Sequence, residues 1–337
     1  MTPAPQISAN SLTPSRVALA GTSCSGSSRL PFSSGRVVSW FSCGAASAVA
    51  TKLSIEKYGK ISIYYTDPGQ EHDDSQRFLR ECETWFGQPI TTLRNPEYRD
   101  AMHVCETVRY LSSPQGAPCT GMMKKIPAGR VWQMGDVEIF GYTVDELDRL
   151  ELWKRENDER IIECPLIEQG VTTDRCFSLL MDAGIELPMM YRLGFRNNNC
   201  IGCVKARDSV DYWKRVRKHF PANFERVAKL EKELGYAINR VTRDGVKIRV
   251  PLYDLPEGDP TGPDPKISCG LFCMSEADDS MHQNVKVHPR ARLNQLMKSD
   301  CRAYARRMAR LVRLSSLSME SRLGQLQRGR NASHSEW

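Results

Sequence analysis

No run of this 337-residue chain approaches the roughly 18–20 consecutive apolar residues that a membrane-spanning helix needs, so no membrane association is expected. Acidic residues are missing from the first 35 positions, where Ser, Pro, Gly, Ala and Thr dominate and only Arg16 and Arg29 are charged. The one apolar patch there, VALAG, falls short of the ~7–15 residues of a secretory signal core. Residues 1–35 are therefore expected to be a disordered extension. Acids are scarce at the other end as well. Val285–Trp337 holds twelve Lys or Arg against Asp300, Glu320 and Glu336, a surplus of nine. The overall formal charge of +7 thus hides a body, residues 37–284, that carries −5. The basic tail, 281–337, is partly amphipathic at helical spacing and is a candidate nucleic-acid contact, or else a solvated extension. Internal repeats are also missing. Without a secretory leader, twelve cysteines argue against a disulfide framework and for a reducing, cytoplasmic setting.

What the chain does have is a repeated alternation of strand and helix patterns. RVVSWFS reads as a buried strand and SAVATKLSIEKYG as the helix behind it, stopping at Gly59. ISIYYTD, PITTLR and VEIFGYT follow as strands. SQRFLRECETWFG, DELDRLELWKREND and TTDRCFSLLMDAGI follow as helices, the last capped by Thr172 or Thr173. Alternation from 36 to about 185 predicts an α/β fold of the Rossmann-like kind, an open, mostly parallel twisted sheet with helices on both faces. After Gly194 a polar loop bearing cysteines leads into SVDYWKRVRKHFPANFERVAKLEKELG, helical and interrupted at Pro221. The expected organisation is an extension (1–35), a nucleotide-binding domain (36–205), its helical and cysteine-bearing C-terminal part (206–280) and the tail.

SCGAAS, after the first strand, is small enough for backbone to approach a phosphate, and Ser42 and Ser47 bracket Gly44. Tight packing of a helix on a strand explains the same composition. After the second strand, YYTDPGQEH places Asp67 and Glu71 at a strand end, where carboxylates suit a ribose, a base or Mg²⁺. His72 beside them is read as a surface or packing residue.

Taken in order, these stretches resemble the adenosine phosphosulfate and 3′-phosphoadenosine 5′-phosphosulfate (PAPS) reductases, within the N-type ATP pyrophosphatases. SCGAAS is similar to their S-G-G-x-D-S/T loop through Ser42, Gly44 and Ser47. TDPGQEH is similar to their D-T-G stretch. FGYTVDELDRL is similar to G-x-R-x-x-E-S-x-x-R through Gly141, Glu146 and Arg149, the Arg one place off. CPLIEQG and AGIELPMMYRLGFRNNNCIGC continue the series, so the resemblance runs colinearly from 37 to 205. It implies an adenine nucleotide, either ATP or a sulfonucleotide, at Ser42, Cys43, Gly44, Ser47, Asp67, Glu71, Lys124, Lys125, Gly141 and Arg149. It implies a thioredoxin-like or other thiol donor as partner, and allows Mg²⁺ and a homo-oligomer. Cys43 replaces a loop Gly. Ala46 replaces the Asp of the pyrophosphatase loop, which fits the reductase branch better than ATP cleavage.

Cys200-Ile201-Gly202-Cys203 has the spacing of a redox pair, a zinc half-site or an iron–sulfur half-site. PCTGMMKKIP resembles the C-C-x-x-R/K-K-x-x-P of iron–sulfur reductases with one cysteine of the pair, Cys119. Cys119, Cys200 and Cys203 are thus three candidate ligands of a 4Fe-4S cluster, or of zinc. SCGLFC resembles the reductases' terminal E-C-G-I/L-H through Cys269, Gly270 and Leu271. Cys269 is then either the nucleophile that takes up sulfur or the fourth ligand, with Cys273 able to act as nucleophile in the second case. Cys82, Cys164 and Cys176 fall in regular elements and are read as inert and buried. The implied reaction is thiol-dependent reduction of a sulfonucleotide to sulfite. The competing readings are ATP-dependent sulfur insertion into tRNA or DNA, and a non-catalytic binding module holding structural zinc.

Overall fold

Strand β1, Val37–Phe41, carries the alternation that organises the molecule. Val37 and Phe41 face one apolar cluster, while Val38 and Trp40 face another. A strand buried on both sides belongs in the middle of a parallel sheet covered by helices, and β1 is central. The computed structural model describes residues 35–113, 116–157, 159–264 and 267. All belong to the first of two units, Met1–Ser275 and Glu276–Trp337.

The elements follow in the order α1 (Ala45–Tyr58), β2 (Ser62–Thr66), α2 (Ser75–Phe86), β3 (Ile90–Leu93), α3 (Ala101–Val108), a π-helical turn (Thr120–Lys125) running into α4 (Ile126–Val131), and β4 (Val137–Ile139). Then come α5 (Leu147–Glu156), β5 (Ile161–Glu163), α6 (Pro165–Glu168), α7 (Thr173–Asp182), α8 (Met189–Arg192), α9 (Val210–His219), α10 (Pro221–Leu234), β6 (Arg240–Arg243) and β7 (Val246–Arg249). The five strands β3-β2-β1-β4-β5 form a parallel sheet in that spatial order, and β6-β7 form a separate antiparallel hairpin. The mostly parallel α/β sheet expected from the sequence is what the chain forms.

α1 packs closely because its inner face is small: Ala45, Ala48, Val49 and Ala50 are buried, and Ser39 Oγ meets Thr51 Oγ1 at 2.7 Å. Thr172 caps α7, its hydroxyl accepting from Arg175 N at 3.3 Å. Pro221 does interrupt the long helical stretch, since α9 ends at His219 and α10 starts on the proline. Three things were not anticipated. β5 has only three residues, its first exposed, too short to stand out as a pattern. α3, eight residues long, is a further helix outside the expected alternation. The hairpin turns on Asp244-Gly245, both at positive φ, which is the two-residue turn that a D-G pair favours.

A second apolar core lies away from the sheet. Trp213, Val216, Phe224, Val227 and Leu230 from the C-terminal helices, with Ile238 just after them, pack with Met102, Cys105 and Cys203. The cysteines of interest sit at this core's edge.

Candidate functional site

The strand order reverses direction between β1 and β4, and the loops leaving their carboxyl ends flank the crevice where open sheets bind ligands. The β1 loop is there, as the sequence implied. Its own side chains close it. Ser47 Oγ accepts from Ser42 N at 3.1 Å, Ser42 Oγ at 3.0 Å and Gly44 N at 3.4 Å, and donates to Gly44 O at 2.9 Å. Ala45 N donates to the Tyr191 hydroxyl at 3.3 Å. Burial pushes that phenol up to about 12. Gly141 lets the β4 loop lie against α1, because a Cβ there would stand 2.6 Å from Ser47 Cα and N.

The other residues assigned to the nucleotide are dispersed in what they touch. Cys43 points inward, fully buried, with Sγ 3.4 Å from Ser75 O, and its φ of 57° is the left-handed conformation that explains a glycine in similar loops. Asp67 Oδ1 accepts from Gly69 N at 2.7 Å, and its other oxygen is 3.5 Å from Arg94. Glu71 accepts from the Tyr65 hydroxyl at 2.9 Å. His72 Nδ1 accepts from Asp74 N at 3.0 Å and its ring packs on Phe220, the packing role expected of it. Arg149 lies over the Tyr142 ring at 4.8 Å and pairs with Glu146 at 2.8 Å. Lys125 is exposed, whereas Lys124 is buried and faces a different place.

That place is a small cavity lined by Cys105, Cys119, Thr120, Lys124, Cys200, Cys203 and Lys205. The structure brings together Cys119, Cys200 and Cys203, as the sequence grouped them, and adds Cys105 from α3. Cys105 and Cys119 share a hydrogen bond. That bond, burial, and the neighbouring sulfurs of Cys119, Cys203 and Cys200 push the Cys105 thiol well up. Four sulfurs this close resist ionising together unless a cation joins them. Thr120 is 4% exposed, and its hydroxyl finds no hydrogen-bond partner in the protein. The π-helical turn, a local irregularity common at functional sites, sets Cys119, Thr120 and Lys124 along this wall.

The cavity is held by a clamp that sequence reasoning missed. Gln70 Nε2 donates to Ile201 O at 2.7 Å, its carbonyl oxygen accepts from Met102 N at 2.6 Å, and its backbone oxygen accepts from Ile201 N at 2.8 Å. One residue thus ties the Cys200–Cys203 loop to the start of α3, the helix of Cys105. Tyr212 OH accepts from Cys203 N at 2.7 Å, and Gly202 sits at φ 70°, a conformation glycine adopts at little cost. Arg226 of α10 grips α3 from outside, at 2.6 and 2.8 Å from Glu106 and 3.0 Å from Asp100. Asn198 joins the two regions, its amide donating to Cys43 O at 2.8 Å and to Ser75 Oγ at 3.0 Å.

No group of three or more His, Cys, Asp or Glu among the described residues is arranged to hold a metal ion. The four thiols line the cavity without closing on one point. Cys82, Cys164 and Cys176 are buried elsewhere, matching their inert reading. Cys269, Cys273 and the basic tail lie outside the described residues. Nearest to them in sequence is Ile267, whose carbonyl lies 3.5 Å from Asn197 Nδ2 and 3.4 Å from Asn199 Nδ2. No helix among the described residues is long and apolar enough to cross a membrane.

No family model and no curated protein matches the chain. Fourteen solved chains do. One is a phosphoadenylyl-sulfate (PAPS) reductase from Candida auris in a phosphate complex, 11% identical at a TM-score of 0.39 over 50% of this chain and 82% of that one. So distant a likeness says nothing of the chemistry.

Proposed function

We propose that this chain is a sulfur-handling enzyme of the sulfonucleotide-reductase type, with an iron–sulfur cluster held by Cys105, Cys119, Cys200 and Cys203. The observation that carries this is the gathering of four thiols from three separate segments around one buried cavity. Thiols are the donor type that holds either an iron–sulfur cluster or zinc. A lone zinc draws four ligands to within about 2.3 Å of one point, whereas a four-iron cluster is held by four thiolates spread around it. Among the described residues no such group is preformed, so either metal would have to draw the thiols into place. Bound there, a cluster supplies a buried positive centre that keeps the sulfurs ionised. Lys124 and Lys205 add positive charge on the same wall, suited to an anionic sulfate or phosphate.

With Cys105 in the quartet, Cys269 is free to act as nucleophile. Its thiolate attacks the sulfate sulfur of the sulfonucleotide, the S–O bond to phosphate breaks, and the nucleotide leaves as a phosphate. Cys269 then carries a thiosulfonate. A dithiol donor attacks Cys269 Sγ, releases sulfite, and closes its own disulfide, supplying the two electrons. Ser42, Gly44 and Ser47 would hold phosphate only by exchanging the bonds they now make to one another.

The test is sulfite release from PAPS or adenosine phosphosulfate with a dithiol donor, on anaerobically prepared protein and on Cys269→Ser. Turnover lost in the variant supports the reading. No sulfite from either substrate overturns it. A second reading, sulfur insertion into nucleic acid, is favoured by one observation, the cation-rich β6–β7 hairpin, while Ala46 in place of a loop carboxylate weighs against ATP cleavage.

A further inference from the structure

β6 and β7, RVTR and VKIR, contain four cations and no acid. The register sets Arg240 opposite Arg249 and Thr242 opposite Lys247 on one face, with Arg243 opposite Val246 on the other. Like charges directly across a strand pair are destabilising. Arg207 lies beside β6, its carbonyl accepting from Arg240 N at 2.5 Å, and burial, followed by the charge of Arg240, lowers its pKa. Asp208 pairs with Arg240 through a fork of two 2.6 Å bonds and also feels the charges of Lys247 and Arg207. Charged edges also guard a ribbon against pairing with another chain. Asp208 stands among these cations, yet Arg240, Lys247 and Arg249 outnumber it on that face, and such a surplus of positive charge points to a polyanion.

The hairpin is mounted firmly. Buried Glu231 accepts from Ile238 N at 2.6 Å and Leu252 N at 2.7 Å, and Asn239, fully buried, accepts from Val250 N at 3.0 Å. Neither strand carries an aromatic residue, and the nearby Tyr236 ring is covered by the Arg249 guanidinium at 4.3 Å. Single-stranded nucleic acid is gripped by stacking bases on exposed rings; a duplex is gripped through its phosphates. We propose that the β6–β7 hairpin docks double-stranded nucleic acid through its phosphates, using Lys247 and Arg249 of one face and Arg243 of the other, beside the turn. The segment 203–208 leads directly from Cys203 in the cavity to Arg207 beneath the hairpin.

The test uses the full chain and a fluorescein-labelled DNA duplex two helical turns long, followed by anisotropy from about 50 to 200 mM salt. Arg243→Glu/Lys247→Glu is compared with Lys229→Glu/Lys232→Glu, an equal charge change on the exposed side of α10. Thermal unfolding checks that both fold. The hairpin variant is expected to bind at least about tenfold more weakly, with a log–log salt slope shallower by about two, the share of two phosphate contacts. The α10 variant is expected to match wild type. Three results overturn the proposal: unchanged binding by the hairpin variant, equal loss in both variants, or tighter binding of a single strand of the same length. The outcome is independent of whether iron or sulfonucleotide turnover is found.

Discussion

The β1 loop and the cysteine cavity were both legible as sites in the sequence, yet the structure treats them in opposite ways. In the loop, hydrogen-bond donors at Ser42, Gly44 and Ala45 are already satisfied by Ser47 and Tyr191. In the cavity, four thiols crowd one another and the Thr120 hydroxyl has no partner. A self-satisfied loop is stable without ligand and has to rearrange to take one. A crowded, partly unsatisfied cavity is costly without one. The difference teaches that a motif similar to a binding loop can be self-satisfied in the fold, and that polar accounting points to the cavity instead.

Four changes break or sharpen that contrast, in falling order of effect. Gln70→Ala removes both side-chain bonds of the clamp and is expected to cost roughly 2–4 kcal/mol in stability and to reduce retained metal. Denaturant unfolding and metal analysis read the two effects separately. Ser47→Ala orphans the loop donors and is expected to cost about 1–2 kcal/mol with metal content unchanged; a loss of metal there would show that the two regions are one unit. Gly202→Ala forces a side chain into the left-handed region, at about 1–2 kcal/mol, and loosens the Cys200–Cys203 turn. Thr120→Val replaces an unsatisfied hydroxyl by a group of the same shape. It is expected to stabilise the metal-free protein by about 1 kcal/mol, checked by chemical denaturation with chelator present.

Acid supplies a fifth test of how the cavity is held. Hydrogen bonds from Arg226 hold Glu106 below the usual carboxylate range. For Asp100 burial pushes the other way, and the bonds from Arg226 and His103 N outweigh it. Both groups have lowered folded pKa values, so their contribution is present above the unfolded values near 4 and is lost as pH falls through the folded ones. Thermal unfolding from pH 6 to 3 is expected to show this loss in wild type, and a smaller dependence in Arg226→Gln.

The open parallel sheet was readable because apolar runs alternate with amphipathic helices, and β1 shows its two-sided burial in five residues. Cys200 and Cys203 were readable from their C-x-x-C spacing, and Cys119 from the resemblance of PCTGMMKKIP to a reductase motif. Cys105 was not. It is one apolar-looking position within a short helix, and only the tertiary path of α3, fixed by Gln70 and Arg226, brings it to the cavity. Gln70 was invisible for the same reason, since its partners are 32 and 131 positions away. The hairpin was readable in principle from Asp244-Gly245 between two β-rich tetrapeptides.

The most direct measurement is iron, sulfide and zinc per chain, with a visible spectrum, on anaerobically purified wild type, Cys105→Ser and Cys82→Ser. Four thiolates imply about four irons and four sulfides in wild type and in Cys82→Ser, and their loss in Cys105→Ser. One zinc and no iron in wild type, or full iron retained without Cys105, would contradict the account.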